Sequence, residues 1–287
     1  MNTRPCYQPI LDLPGLEALK AVVRQWDAVA QNLPRHPAGL PLVLPNLLLK
    51  TMPGAGKTHF LQLLCEYLDT AGLLDFYGDV RFLEFYLEHC GAGEPLTELT
   101  RLIGEVRDAA GFRRDFRGVL AIDITPWRKS FGEAHFIRVL EYLSSIDERV
   151  CLVFVAENLD EDELARAEQV LLGYFRLKSV PFGYPEASEL TAFCVTQLEK
   201  YHLRLDDSAR ALLEQTVTAL MAYDYFDGYK TLIRLCQDIA FHLVSLPDLG
   251  GAAITAAHLA DFSSDSPFVT GLMRISRRRA IGFGGEV

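Results

Sequence analysis

Residues 47–64, LLLKTMPGAGKTHFLQLL, join an apolar strand to a turn with two glycines and a helix with one apolar face. That order limits the chain more than any other stretch does. The P-loop pattern is Gly-x-x-x-x-Gly-Lys-[Ser/Thr]; its second half stands here as Gly56-Lys57-Thr58, with Thr51 in the place of the first glycine. Gly54 and Gly56 allow the sharp turn that aims consecutive N–H groups at phosphate oxygens. The pattern therefore predicts that Pro53, Gly54, Ala55, Gly56, Lys57, Thr58 and His59 bind a nucleotide, ATP or ADP. Lys57 would reach the β- and γ-phosphates, and the Thr58 hydroxyl would go to Mg²⁺ at the positive end of the helix dipole. The competing reading is a plain strand-turn-helix connection in which Gly-Lys-Thr is incidental.

Further strands are expected at 79–86, 118–124, 150–158 and 177–182, besides the first at 43–50. GVLAIDI and VCLVFVAEN are continuous apolar runs, as parallel strands buried on both faces require. Helices are expected between them, with an opening segment and helix over 10–31 and others over 58–70, 96–110 and 134–144. A loop with Pro34, Pro37 and Pro41 precedes the first strand. From Glu186 onward no strand pattern recurs, and helices are expected over 186–201, 207–223 and 228–245, with a short one near Thr255. The alternation predicts an α/β doubly wound parallel sheet with its ligand at the carboxyl ends of the strands, followed by a small helical domain.

The chain has 287 residues, enough for one large domain and a smaller one. Its apolar stretches fall short of a membrane span, and Met1–Pro5 lacks the layout of a signal peptide, so a soluble cytoplasmic protein with no membrane partner is expected. The six cysteines show no Cys-x-x-Cys spacing and read as small buried hydrophobes in a reducing compartment. A net charge of −10 argues against non-specific nucleic-acid binding.

The strand VLAIDI ends in Asp123, an acid after a buried apolar run and downstream of the P-loop. This is the Walker B arrangement, and it predicts that Asp123 holds Mg²⁺ together with Thr58. In many hydrolytic P-loop proteins a glutamate follows this aspartate and polarises the attacking water, but the next residue here is Ile124.

Taken together, Thr51–Thr58, VLAIDI, LVFVAEN, the junction VPFGYPEASEL and the helical C-terminal part resemble an AAA+ ATPase module over about residues 10 to 262. The opening LDLPGLEALKAVV is similar to the segment before the P-loop in red-type Rubisco activases and stage-V sporulation ATPases. The resemblance implies an N-terminal segment over 1–40 with Leu13 and Gly15 at the adenine, a nucleotide-binding domain over 41–185, a helical lid over 186–262 and a basic, glycine-rich tail over 263–287. It assigns Asn158 as the polar sensor of the γ-phosphate and Lys230 as the lid cation that reaches the phosphates. Glu157 stands where it could replace the missing glutamate in part; opening a loop is the equal alternative for it. For a trans-acting arginine, Arg176 is the nearest candidate and Arg166 lies farther back. Tyr86 is either a pore-loop aromatic or, the favoured reading, a residue packed beside the sheet. The resemblance implies an ATP-dependent remodeller of a protein partner, working as a homo-oligomer. The alternatives are a nucleotide-binding switch or scaffold that does not hydrolyse, and a loader of a nucleic-acid enzyme.

Overall fold

Five parallel strands lie in the order β2-β3-β4-β1-β5, in a computed structural model that describes residues 6–32, 44–74, 76, 82–86, 94–105, 116–146, 150–224, 226–245, 253–263, 266, 269 and 271. Chain order gives α1 (Gln8–Leu11), α2 (Glu17–Asn32), β1 (Asn46–Thr51), α3 (Lys57–Thr70), β2 (Phe82–Tyr86), α4 (Pro95–Gly104), β3 (Gly118–Asp123), α5 (Ala134–Ser144), β4 (Val150–Glu157), α6 (Glu161–Leu172) and β5 (Leu177–Phe182). The α/β fold with a parallel sheet flanked by helices is the one the strand-helix alternation requires.

Local chemistry moves some boundaries. Pro45 has no N–H to give a ladder, so β1 begins at Asn46 rather than at 43. The opening segment holds the short α1, and α2 follows it after Leu13-Pro14-Gly15-Leu16, where Gly15 and Leu16 take φ of 62° and 61°. The prolines at 34, 37 and 41, the loop at 87–93 with Cys90, the end of the helix expected to 110, and the tail from 272 lie outside the described residues.

The register sorts side chains by face. Leu48, Phe154, Ile122 and Phe85 sit on adjacent strands and join Leu99 of α4, Phe136 and Leu140 of α5 and Leu171 of α6 in one core. Each such buried apolar side chain stabilises the fold by roughly 1.5–3 kcal/mol. Leu49, Val155, Asp123 and Tyr86 alternate onto the other face. Helix α3 lies on that second face, where Phe60 packs its ring 5.5 Å from that of Phe182.

The chain divides into two units, Met1–Met52 with Lys57–Gly183, and Pro53–Gly56 with Tyr184–Val287. In the second, α7 (Ala187–Lys200), α8 (Asp207–Met221) and α9 (Gly228–Ser245) surround Leu190, Leu198, Leu213, Val217, Leu235 and Ile239. Helix α8 starts on Asp206, whose carboxylate accepts from the Ala209 N–H at 2.8 Å. A short 3₁₀ segment, Ala256–Phe262, closes this core, with the Phe262 carbonyl accepting from the Thr216 hydroxyl at 3.0 Å. Among the described residues no helix is long and apolar enough to cross a membrane, and Cys65, Cys151, Cys194 and Cys236 are buried and unbridged.

Candidate functional site

Thr51 is part of the sheet. It pairs with Glu157 on β4 and Phe182 on β5, is buried, and is absent from the positive-φ positions. The left-handed residues come later, at Gly54 (φ 65°) and Gly56 (φ 93°), so the glycine missing from the motif is missing where the backbone does not need one.

The tetrapeptide Pro53–Gly56 is held by residues of the second unit. The Tyr184 hydroxyl has the Pro53 and Phe226 carbonyls both within reach of its one proton, and the Tyr229 N–H donates to the Gly54 carbonyl at 3.0 Å. The approach is too tight for a side chain: a Cβ on Gly54 would stand 2.1 Å from the Asp227 carbonyl oxygen. Among the described residues the N–H groups of Ala55 and Gly56 have no partner, which leaves them as donors for an anion. Lys230, one turn into α9, is exposed and lies 3.5 Å from the carboxylate of Asp227.

The charged end of the sheet belongs to the first unit. Lys57 opens α3 and is paired with the Glu157 carboxylate. The Thr58 hydroxyl donates to Glu84 Oε1 at 3.3 Å. Asp123 accepts from the Thr125 N–H at 2.9 Å, and the Thr125 hydroxyl accepts from the Glu157 N–H at 2.9 Å, so one threonine ties the ends of β3 and β4 together. Glu84, Tyr86, Asp123 and Glu157 share one face by register. Among the described residues, Lys57 is the ammonium paired within this group of three carboxylates, so a bound cation would be favoured at this end of the sheet. Burial, then the charge of Glu84 and a hydrogen bond to it, then Asp123 and Glu157, push the Tyr86 phenol well above its ordinary pKa. At neutral pH Tyr86 is thus a donor to Glu84, packed beside the sheet.

The remaining candidates are more dispersed. His59 is exposed on α3. Asn158 is exposed at φ 57°, a left-handed position that asparagine tolerates, with its N–H on the Thr51 carbonyl at 3.1 Å. Leu13 and Gly15 are half-buried in the bend before α2. Arg166 reaches back to the Asp162 carbonyl at 3.3 Å, and Arg176 is exposed before β5. Glu84 and Thr125 escape a reading of the motifs alone. The signal for Glu84 is the alternation of FLEFY, which puts Glu84 and Tyr86 on one face and Phe85 on the other.

Ile124 accounts for the missing glutamate. Its side chain is fully buried and joins the core that holds Phe85, Trp127 and Phe136. Ile124 follows the last strand residue with φ −94° and ψ −4°, and its side chain lies where a carboxylate would have neither water nor a partner.

The donors fit magnesium, a hard cation that takes oxygen ligands and keeps several waters. Thr58 and Asp123 would hold it. No cluster of three His, Cys, Asp or Glu able to form a metal cage exists among the described residues, so phosphate oxygens and water would complete the shell.

No protein-family model and no curated protein matches the sequence. Solved structures do match in fold. The FIGL-1 AAA domain is 16% identical with a TM-score of 0.54, covering 96% of this chain and 89% of that chain. The Thermotoga maritima RuvB Holliday junction branch migration motor is 15% identical with a TM-score of 0.51, covering 91% of this chain and 70% of that chain. C. elegans PCH-2 is 15% identical with a TM-score of 0.51, covering 91% and 68%. The fold is that of AAA+ P-loop ATPase modules.

Proposed function

We propose that this chain binds ATP and ADP with Mg²⁺ and uses the nucleotide to act on, or respond to, a protein partner, with slow hydrolysis when alone. The observation that carries the reading is the group Lys57, Thr58 and Asp123 at the carboxyl end of the sheet, directly after a turn with two left-handed glycines. Lys57 would exchange Glu157 for phosphate, and Asn158 and Lys230 would answer to the γ-phosphate. Bound Mg²⁺ would neutralise phosphate charge. The strained bend at Gly15 and Leu16 lies in the segment that resembles the activase and sporulation ATPases and is the candidate adenine contact.

The buried Ile124 favours a second reading, a nucleotide-dependent switch or scaffold with no productive turnover. Loading of a nucleic-acid enzyme is third. One neighbour in fold is a Holliday junction motor, but a net charge of −10 works against phosphate-backbone binding here.

Calorimetric titration of ATP and ADP into wild type and Lys57→Ala tests the conclusion. Loss of the charge-assisted phosphate contact should weaken binding by about 100-fold, from an interaction of roughly 3 kcal/mol. Equal affinity of the two proteins refutes the phosphate site. Turnover separates the two leading readings: slow hydrolysis that a protein partner accelerates supports the remodeller, and none supports the switch.

A further inference from the structure

We infer that Glu84, on the strand next to the Asp123 strand, is a positioning residue for magnesium that works through the hydroxyl of Thr58. The inference rests on the nucleotide reading above and adds to it a residue outside the P-loop and Walker B motifs.

To offer a lone pair to a cation, threonine must send its proton elsewhere, and a carboxylate is the strongest common acceptor for it. The Thr58 hydroxyl donates to Glu84 Oε1 at 3.3 Å, so its lone pairs are turned away from Glu84. The other two acids at this end of the sheet are engaged: Asp123 Oδ1 takes the Thr125 N–H at 2.9 Å, and Glu157 takes Lys57. Glu84 is the carboxylate that meets the threonine.

Its own placement is well determined. Register sets Glu84 opposite Ala121 and Tyr86 opposite Asp123, so the Glu84 side chain rises on the face that carries α3 and Thr58. Tyr86, two residues on along the same face, donates its phenol to the same carboxylate. Strand β3 offers one acid because Ile124 is turned into the core, and the neighbouring strand supplies the second. Outer-sphere partners of this kind typically set metal affinity by 10- to 100-fold.

The test measures binding of a fluorescent ADP analogue across a Mg²⁺ titration, and in EDTA, for wild type, Glu84→Gln, Glu84→Ala, Thr58→Ala and the Glu84→Ala/Thr58→Ala double variant. Glu84→Ala should raise the Mg²⁺ concentration for half-maximal effect about tenfold. Glu84→Gln keeps an acceptor oxygen and should raise it less. Affinity in EDTA should stay within about twofold of wild type in both, which also shows that they are folded. In the Thr58→Ala background, Glu84→Ala should add almost nothing, because the two changes break one pathway.

An unchanged Mg²⁺ midpoint in Glu84→Ala overturns the inference and leaves the nucleotide reading standing. So does a shift that is just as large without Thr58, or an equal loss of affinity in EDTA. Failure of the wild type to bind nucleotide with or without Mg²⁺ overturns the nucleotide reading itself, and this inference with it.

Discussion

The turn after β1 and the turn after β3 both end buried strands, and both depart from the P-loop pattern by one residue. The departures have opposite weight. At the first, Thr51 replaces a glycine at a position that is still strand, and the two residues that need positive φ, Gly54 and Gly56, are glycine. At the second, Ile124 replaces an acid and its side chain fills the core on the far face. Motif positions are equal letters in a pattern, but the backbone conformation and the face decide which of them chemistry can use.

Ile124→Glu gives the largest effect with which to break this contrast. It restores the residue pattern of a hydrolytic P-loop protein, yet it places an unpaired carboxylate among Phe85, Trp127 and Phe136. Chemical denaturation should show a loss of about 3 kcal/mol or more, with no gain in turnover. Wild-type stability with faster hydrolysis would mean that the strand end can reface, and would end the explanation.

A smaller effect is expected from Thr51→Gly, which restores the first motif position. It removes a buried side chain from a strand and adds backbone freedom to the unfolded chain, at a cost of about 1 kcal/mol. Nucleotide affinity should not rise. A tighter complex would show that the turn starts one residue earlier than the ladder indicates.

The smallest effect should come from Glu157→Gln. With Lys57 released from its ion pair, metal-free ADP should bind about threefold tighter, the scale of a partly exposed pair. Weaker binding would show that Glu157 orients Lys57 for phosphate rather than competing for it.

Much of this was legible in the sequence. The apolar runs VLAIDI and VCLVFVAE announced buried parallel strands, and the spacing from Gly54 to Thr58 announced the tight turn between β1 and α3. What stayed hidden depends on strand order. Nothing in one sequence says that β2 lies beside β3, so Glu84 reads as an ordinary polar residue of a half-buried strand. The pair of Lys57 with Glu157 crosses 100 positions and exists only because β4 lies beside β1. The contact of the Thr125 hydroxyl with the Glu157 N–H likewise depends on β3 lying beside β4.

Gly54 and Gly228 also constrain each other. A Cβ on Gly228 would stand 2.3 Å from the Gly54 carbonyl oxygen, and that same carbonyl receives the Tyr229 N–H. Neither position admits even alanine without displacing main chain, so the two glycines form a single unit of inheritance: a lineage that changes one must rebuild the other. The Tyr229 amide becomes a natural gauge of that seam. Its hydrogen-exchange rate reads whether the Pro53–Gly56 tetrapeptide is seated on the start of α9, and it does so at a backbone atom that any substitution except proline preserves.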